Sequence, residues 1–207
     1  ASGNDYRPLG RCIDEKAIVN AVVGLLATGG STNHAIHLPA IARAAGIILD
    51  WADFDRLSAV VPQVAKVYPN GSGDVNHFHA AGGMGFLIRE LLGAGLLHED
   101  VRTAYGMGLS AYTVEARLAA DGVGVERVAA PSESLDPKVL ARADTPFSSN
   151  GGLRVLDGNL GKAVIKGTAD GQVKLGVAGV GSRRQRGEDL RGEDGVEVRV
   201  HAGDGVA

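Results

Sequence analysis

The stretch GRCIDEKAIVNAVVGLLATGGSTN, Gly10 to Asn33, decides how this chain is read. Asp14 is an N-cap, with Glu15 favourable in the first turn that follows. Ala17, Ile18, Ala21, Val22, Leu25 and Leu26 recur at helical spacing. Gly29 and Gly30 end that helix, and Ser31 or Thr32 is placed to cap a second one. The stretch is therefore a helix with a cysteine before it and a polar glycine turn after it.

Both flanks have a bland reading and a chemical one. Glycines before a helix start leave backbone N–H groups free, and the helix dipole favours an anion there. Ser31, Thr32 and Asn33 add side-chain donors, so the turn suits a phosphate or a carboxylate; otherwise it is a plain capped turn. It is not a P-loop, because the Gly-Lys-Ser/Thr ending is missing. Cys12 is either a small buried hydrophobe or, just before a helix N-terminus, a thiol biased towards thiolate and metal ligation.

Outward from this stretch, Pro39 either kinks the second helix or restarts it, and Ala44-Ala45-Gly46 closes it. Ile47, Ile48 and Leu49 predict a short buried strand. Asp50 or Asp53 opens a helix running to about Val60. Tyr68 to Gly73 is a loop. Asp74 begins a short segment, Gly82-Gly83 interrupts it, and Phe86, Leu87, Leu91 and Leu92 fit a helix ending at Gly93 or Gly95. Ser110 caps a predicted helix over about Tyr112 to Ala119. Val123, Val125 and Val128 alternate as an exposed strand would. Pro131 to Pro146 is polar and linker-like, and after Phe147 glycine and β-branched residues dominate.

The histidines form two groups. His34 and His37 share a helix face, with no nearby carboxylate or cysteine to complete a zinc site. His77 and His79, with Asp74 and Asn76, lie between two glycine pairs. They suit either a polar pocket wall or structural hydrogen bonding. No Ser/His/Asp elbow and no dinucleotide fingerprint is present.

Bulk composition sets the outer limits. The net charge of −3 gives no basic excess for nucleic acid or a membrane surface. No apolar run reaches transmembrane length, and Ala1 to Arg7 lacks a signal-peptide core, so a cytoplasmic protein is expected. A single cysteine excludes an internal disulfide and a cluster held wholly by this chain's cysteines. From Gly167 to Ala207 there are ten glycines and no Phe, Trp, Tyr, Pro or Ile, too little to pack a core.

Several blocks together resemble the dihydroxy-acid and phosphogluconate dehydratase family. They are Gly10 to Asn20, Ala27-Thr-Gly-Gly-Ser-Thr-Asn-His34, Val61-Pro62 through Tyr68-Pro-Asn-Gly71, Asp74-Val-Asn-His-Phe78 and Ala80-Ala-Gly-Gly83. Arg89-Glu-Leu-Leu92, Ala94 to Asp100, Gly151 to Leu156 and Gly158 to Lys166 continue the likeness, which covers about residues 5 to 166. Most of these blocks lie nearest the phosphogluconate branch.

The resemblance implies a hydro-lyase that dehydrates 6-phospho-D-gluconate to 2-dehydro-3-deoxy-6-phosphogluconate, a step of the Entner–Doudoroff route. The alternatives are another sugar acid or a branched-chain dihydroxy acid as substrate, or a non-catalytic domain that binds an anion or a subunit. It implies an iron–sulfur cluster, [4Fe–4S] favoured over [2Fe–2S], and admits a divalent cation such as magnesium. Cys12 matches the last of three cluster cysteines; the other two would precede Ala1. Ser31, Thr32, Asn33 and His77 match the substrate pocket. No catalytic residue is expected in this stretch, the serine base lying in a later part of the family pattern, so the chain alone is expected to be inactive. The partner implied is a phosphorylated sugar acid, and the full-length form is expected to be a homodimer.

The fold class expected is α/β. Residues 1–146 form part of a helix-rich N-terminal α/β domain, and residues 147–166 start a β-rich, barrel-like domain. Residues 167–207, where the family pattern stops, form a divergent tail, frameshifted or disordered.

Overall fold

The first helix, α1 (Glu15–Thr28), shows how the sequence builds the core. Asp14 caps it by accepting from the Ala17 N–H at 2.8 Å. Ile18, Val22, Leu25 and Leu26 then fall on one face and are all buried. Gly29, at φ +60°, turns the chain out of the helix; its N–H and that of Gly30 close back on Leu26 and Leu25, a Schellman closure. The computed structural model describes residues 6–68, 70–158, 161–167 and 173–179.

Helix α2 (His34–Ala44) runs through Pro39 without stopping there. Its entry is a tight turn in which His34 N–H bonds Ser31 O and Ala35 N–H bonds Thr32 O. The Ser31 hydroxyl accepts from Asn33 N–H at 3.2 Å within this turn, but the N-cap residue is Asn33 and α2 has no side-chain cap, so neither Ser31 nor Thr32 caps it as expected. Gly46, at φ +78°, ends the element. The strand expected at Ile47–Leu49 does not form: Ile48 is 88% exposed, and Ile47 N–H is spent on the helix end at Ala42 O. Three residues between two helix caps find no strand partner, so the apolar run only seals the link.

Helix α3 (Trp51–Ser58) begins with the reciprocal capping box of Asp50 and Asp53 and buries Phe54 and Ser58. Next, Val61 to Ala65 run extended through the centre of the molecule, a feature the sequence reading missed. Val64 N–H bonds Ala27 O, Lys66 N–H bonds Val139 O, and Ala141 N–H bonds Val64 O. The polar stretch 131–146 is therefore no solvated linker where it meets this segment: Val139, Leu140 and Ala141 are buried.

Two helices follow, α4 (Val75–Ala80) and α5 (Gly83–Gly93). A two-residue hairpin then pairs β1 (Arg102–Thr103) with β2 (Gly106–Met107). The helix predicted over Tyr112–Ala119 is absent. A single 3-10 turn, Ser110–Tyr112, leads into β3 (Val114–Leu118), which pairs antiparallel with β4 (Val125–Ala129) from Val114↔Ala129 to Leu118↔Val125. The 112–119 segment has no apolar stripe to hold a helix, and the cross-strand ladder takes its backbone instead.

The last sheet has the order β5 (Leu153–Gly158), β6 (Gly161–Gly167) and β7 (Val173–Gly179), all antiparallel. Strand β7 lies in the stretch expected to be divergent; residues 168–172 and 180–207 of that tail lie outside the described residues. Helices and small antiparallel sheets make the mixed α/β class expected. The sheet docks on the helices: β5 packs on α3, and Leu153 and Val164 join Leu26, Phe54, Val64, Phe86 and Leu140 in one buried cluster. No helix among the described residues is long and apolar enough to cross a membrane.

Candidate functional site

The Gly29–Asn33 turn joins the end of α1 to the start of α2, and buried polar groups converge beneath it. The Gly29 carbonyl accepts from Asn70 Nδ2 at 2.6 Å and from Lys166 Nζ at 3.3 Å. Both donors are buried, Asn70 being 4% and Lys166 6% exposed. Asn70 comes from the loop between the extended core segment and α4, and Lys166 comes from β6. Gln63 is buried beside them: a Cβ placed on Gly29 would lie 2.6 Å from its Nε2. Gly152, entering β5, donates its N–H to Leu26 O at 3.0 Å. A Cβ on Gly152 would stand 2.4 Å from Gly29 Cα, so only glycine lets the sheet approach this closely.

The upper surface of the turn is open to ligand. Ser31 and Asn33 are exposed and Thr32 is half-buried. Among the described residues the backbone N–H groups of Ser31 and Thr32 have no acceptor. The N–H groups at the start of α2 itself are paired within the turn, so these two donors, just ahead of the positive end of the helix dipole, are the ones that suit an anion. On the flank, His34 and Thr28 border an otherwise largely apolar cavity of about 470 Å³ between α1, α2 and α5.

Burial explains the electrostatics of Lys166. Desolvation pushes its ammonium below the ordinary lysine range, and among the described residues no carboxylate pairs with it. The end of α1 supplies partial compensation, since the last carbonyls of a helix carry negative dipole charge. Lys166, Asn70 and Gly152 were not among the expected site residues. One signal was available: a lysine closing the apolar run Ala163-Val-Ile-Lys166, two residues after buried Val164 and hence on the same strand face.

His77 sits on α4, one loop away from the turn. Its Nδ1 lies 2.8 Å from Asp74 Oδ1, and Asp74 also accepts from the N–H groups of Asn76 and His77. The bond from His77 N–H, then the His77 ring, holds the Asp74 carboxyl down at about 2. His77 thus completes a capping box while its ring remains exposed. The other two polar side chains of α4, Asn76 and His79, are exposed as well.

Cys12 stands elsewhere. It follows a 3-10 turn, Leu9–Arg11, half-buried, with Sγ 3.8 Å from Pro8 O. Beside it Arg11, Asp14, Asp100, Arg102 and Met107 line a polar cleft of about 410 Å³, and Lys16 pairs with Asp100. Cys12 precedes α1, whereas the polar turn follows it. Fourteen residues of helix put about 21 Å between the two at ~1.5 Å per residue. The described residues contain no group of three or more His, Cys, Asp or Glu side chains placed to hold a metal ion. The described residues thus hold one thiol of the three that the resemblance implies, the other two of that pattern preceding Ala1.

Comparison with known proteins gives a consistent picture. A family model described as the N-terminal region of the dihydroxy-acid/6-phosphogluconate dehydratases matches residues 2–112. The chain is 63% identical over 166 residues to the phosphogluconate dehydratase of Rhizobium meliloti, covering 80% of this chain and 27% of that protein. It is 56% identical over 168 residues to the enzyme of that name from Escherichia coli K12, covering 81% and 28%. A dihydroxy-acid dehydratase from Renibacterium salmoninarum is 37% identical over 174 residues, covering 83% and 28%. The chain thus spans about a quarter of the length of the curated relatives it matches.

Proposed function

The chain belongs to the dihydroxy-acid/6-phosphogluconate dehydratase family, and from that membership we propose that it is a piece of a hydro-lyase acting on 6-phospho-D-gluconate. The product is 2-dehydro-3-deoxy-6-phosphogluconate, as in the Entner–Doudoroff route. One observation carries the choice of substrate. Identity is 63% to a relative named phosphogluconate dehydratase and falls to 37% for one named dihydroxy-acid dehydratase.

Within this reading the Gly29–Asn33 turn binds the anionic sugar acid. The N–H groups of Ser31 and Thr32, just before α2, and the hydroxyls of the same two residues supply donors, and Asn33 adds an amide. His77, on α4 beyond the loop that carries Asn70, is assigned to the same pocket in this reading. These residues bind and orient; the proton beside the carboxylate is removed by a base that is not among them. The enzyme is taken to be a cytoplasmic homodimer when full length, with magnesium as an additional cofactor. Cluster ligation by Cys12 and substrate binding at the turn do not describe one site, because α1 separates them. The turn is the better built of the two, so the cluster ligands are placed outside the described residues.

Expressing the full-length enzyme without oxygen and assaying dehydration of 6-phosphogluconate beside a branched-chain dihydroxy acid tests the substrate. Turnover of only the latter overturns it. Iron content of a Cys12→Ser variant tests the ligand placement: unchanged iron per chain is expected, and loss of the cluster iron, as removal of a cluster thiolate would give, returns Cys12 to the ligand set.

A further inference from the structure

A buried lysine without a counter-charge is costly to keep. A methionine at position 166 would fill similar space with no desolvation penalty. What methionine lacks is a hydrogen-bond donor, and among the described residues the Lys166 ammonium donates to one atom, the Gly29 carbonyl. That carbonyl is shared with Asn70 Nδ2. It belongs to the residue that reverses the chain out of α1, and its peptide plane leads directly into Gly30 and Ser31. Two donors from separate parts of the chain, one loop and one sheet, therefore set the direction in which the turn presents Ser31, Thr32 and Asn33.

We propose that Lys166 is a positioning residue for sugar-acid binding: from the β-sheet it holds the Gly29 carbonyl, together with Asn70, and so fixes the Ser31–Asn33 turn that receives the anionic substrate. The proposal rests on the reading of that turn given above. It makes the sheet a working part of the site, since β6 supplies a donor that the helical part does not contain. Gly152 serves the same purpose by letting the sheet come within reach of Gly29.

The test compares Lys166→Met and Lys166→Arg with the wild type in the full-length enzyme, reading KM and kcat separately. Lys166→Met is expected to raise KM for 6-phosphogluconate about tenfold while kcat stays within about twofold, the pattern of lost binding. Lys166→Arg retains a cationic donor and recovers most of the affinity. A Lys166→Met enzyme with unchanged KM, whatever its melting temperature, overturns the proposal, and so does an Arg variant no better than Met. If Lys166→Met does not fold, Asn70→Ala decides. It removes the other donor to the same carbonyl and must raise KM in the same sense; an unchanged KM overturns the proposal. Should the wild type dehydrate only a branched-chain dihydroxy acid, the substrate reading fails, and the same comparison on that acid still tests Lys166.

Discussion

At the scale of single residues, Gly29 carries more constraint than its lack of a side chain suggests. Its backbone is left-handed, and a Cβ there would stand 1.9 Å from Asn70 Nδ2. Gly29→Ala is expected to cost about 1–3 kcal/mol for the backbone alone, and displacing Asn70 adds to that. A lowered urea midpoint at unchanged m-value would register it. Asp74 gives a prediction with a sign. Its folded pKa of about 2 lies below the ordinary 3.8, held there first by the His77 N–H bond. The stabilisation is complete above the unfolded value and is lost as pH falls through about 2. Asp74→Ala should therefore melt lower than wild type at neutral pH, with the two curves merging near pH 2. Both residues were legible in part. A glycine pair after a helical run and an aspartate before one are local signals, and each was read as a stop and a start. What the local pattern did not hold was the partner: nothing near Gly29 in sequence points to Asn70 or Lys166.

Elements were legible where their ends were marked. Helices α1, α3, α4 and α5 each begin or end at Asp or Gly positions that the sequence identifies, because capping is decided within four residues. Elements without such marks were misread. The composition of Ile47–Leu49 predicts a strand, yet the Ile47 N–H closes α2 at Ala42 O. Ser110 predicts a helix over 112–119, but β4, pairing from Val125 onwards, decides that segment's conformation. Pro39 left two outcomes open, and the observed one has an energetic consequence. Inside α2 it cannot donate to the carbonyl of Ala35, which is buried. Pro39→Ala supplies that donor and removes a ring from the helix interior. Part of the gain is offset by a more flexible unfolded chain. A net stabilisation of about 1–2 kcal/mol is expected, visible as a higher melting temperature.

At the scale of the molecule, the site depends on contacts that no window of sequence contains. The candidate turn lies between two helices, but its support comes from residues 63, 70, 152 and 166. The sequence placed the start of a β-rich region after Phe147 without indicating which surface it would cover. It covers the end of α1, where Gly152 N–H reaches Leu26 O, and the flank of α3, where the Ser58 hydroxyl reaches Leu153 O. If this docking supports the site, disturbing it should disturb both sides. Gly152→Ala forces a methyl against Gly29 Cα, a backbone atom that cannot swing aside, so the sheet must move away. Overpacking of this kind costs about 1–3 kcal/mol. Amide hydrogen exchange reads where the cost falls. In the wild type, β5 and β6 should open together with the last turn of α1. In Gly152→Ala, the strands and the Gly29–Gly30 amides should exchange faster, while the amides of Ile18 to Val22, held by their own buried face, stay protected. Equal acceleration throughout α1 would mean that the sheet stabilises the whole helix rather than its end, and that the turn is not the point at which the two are joined.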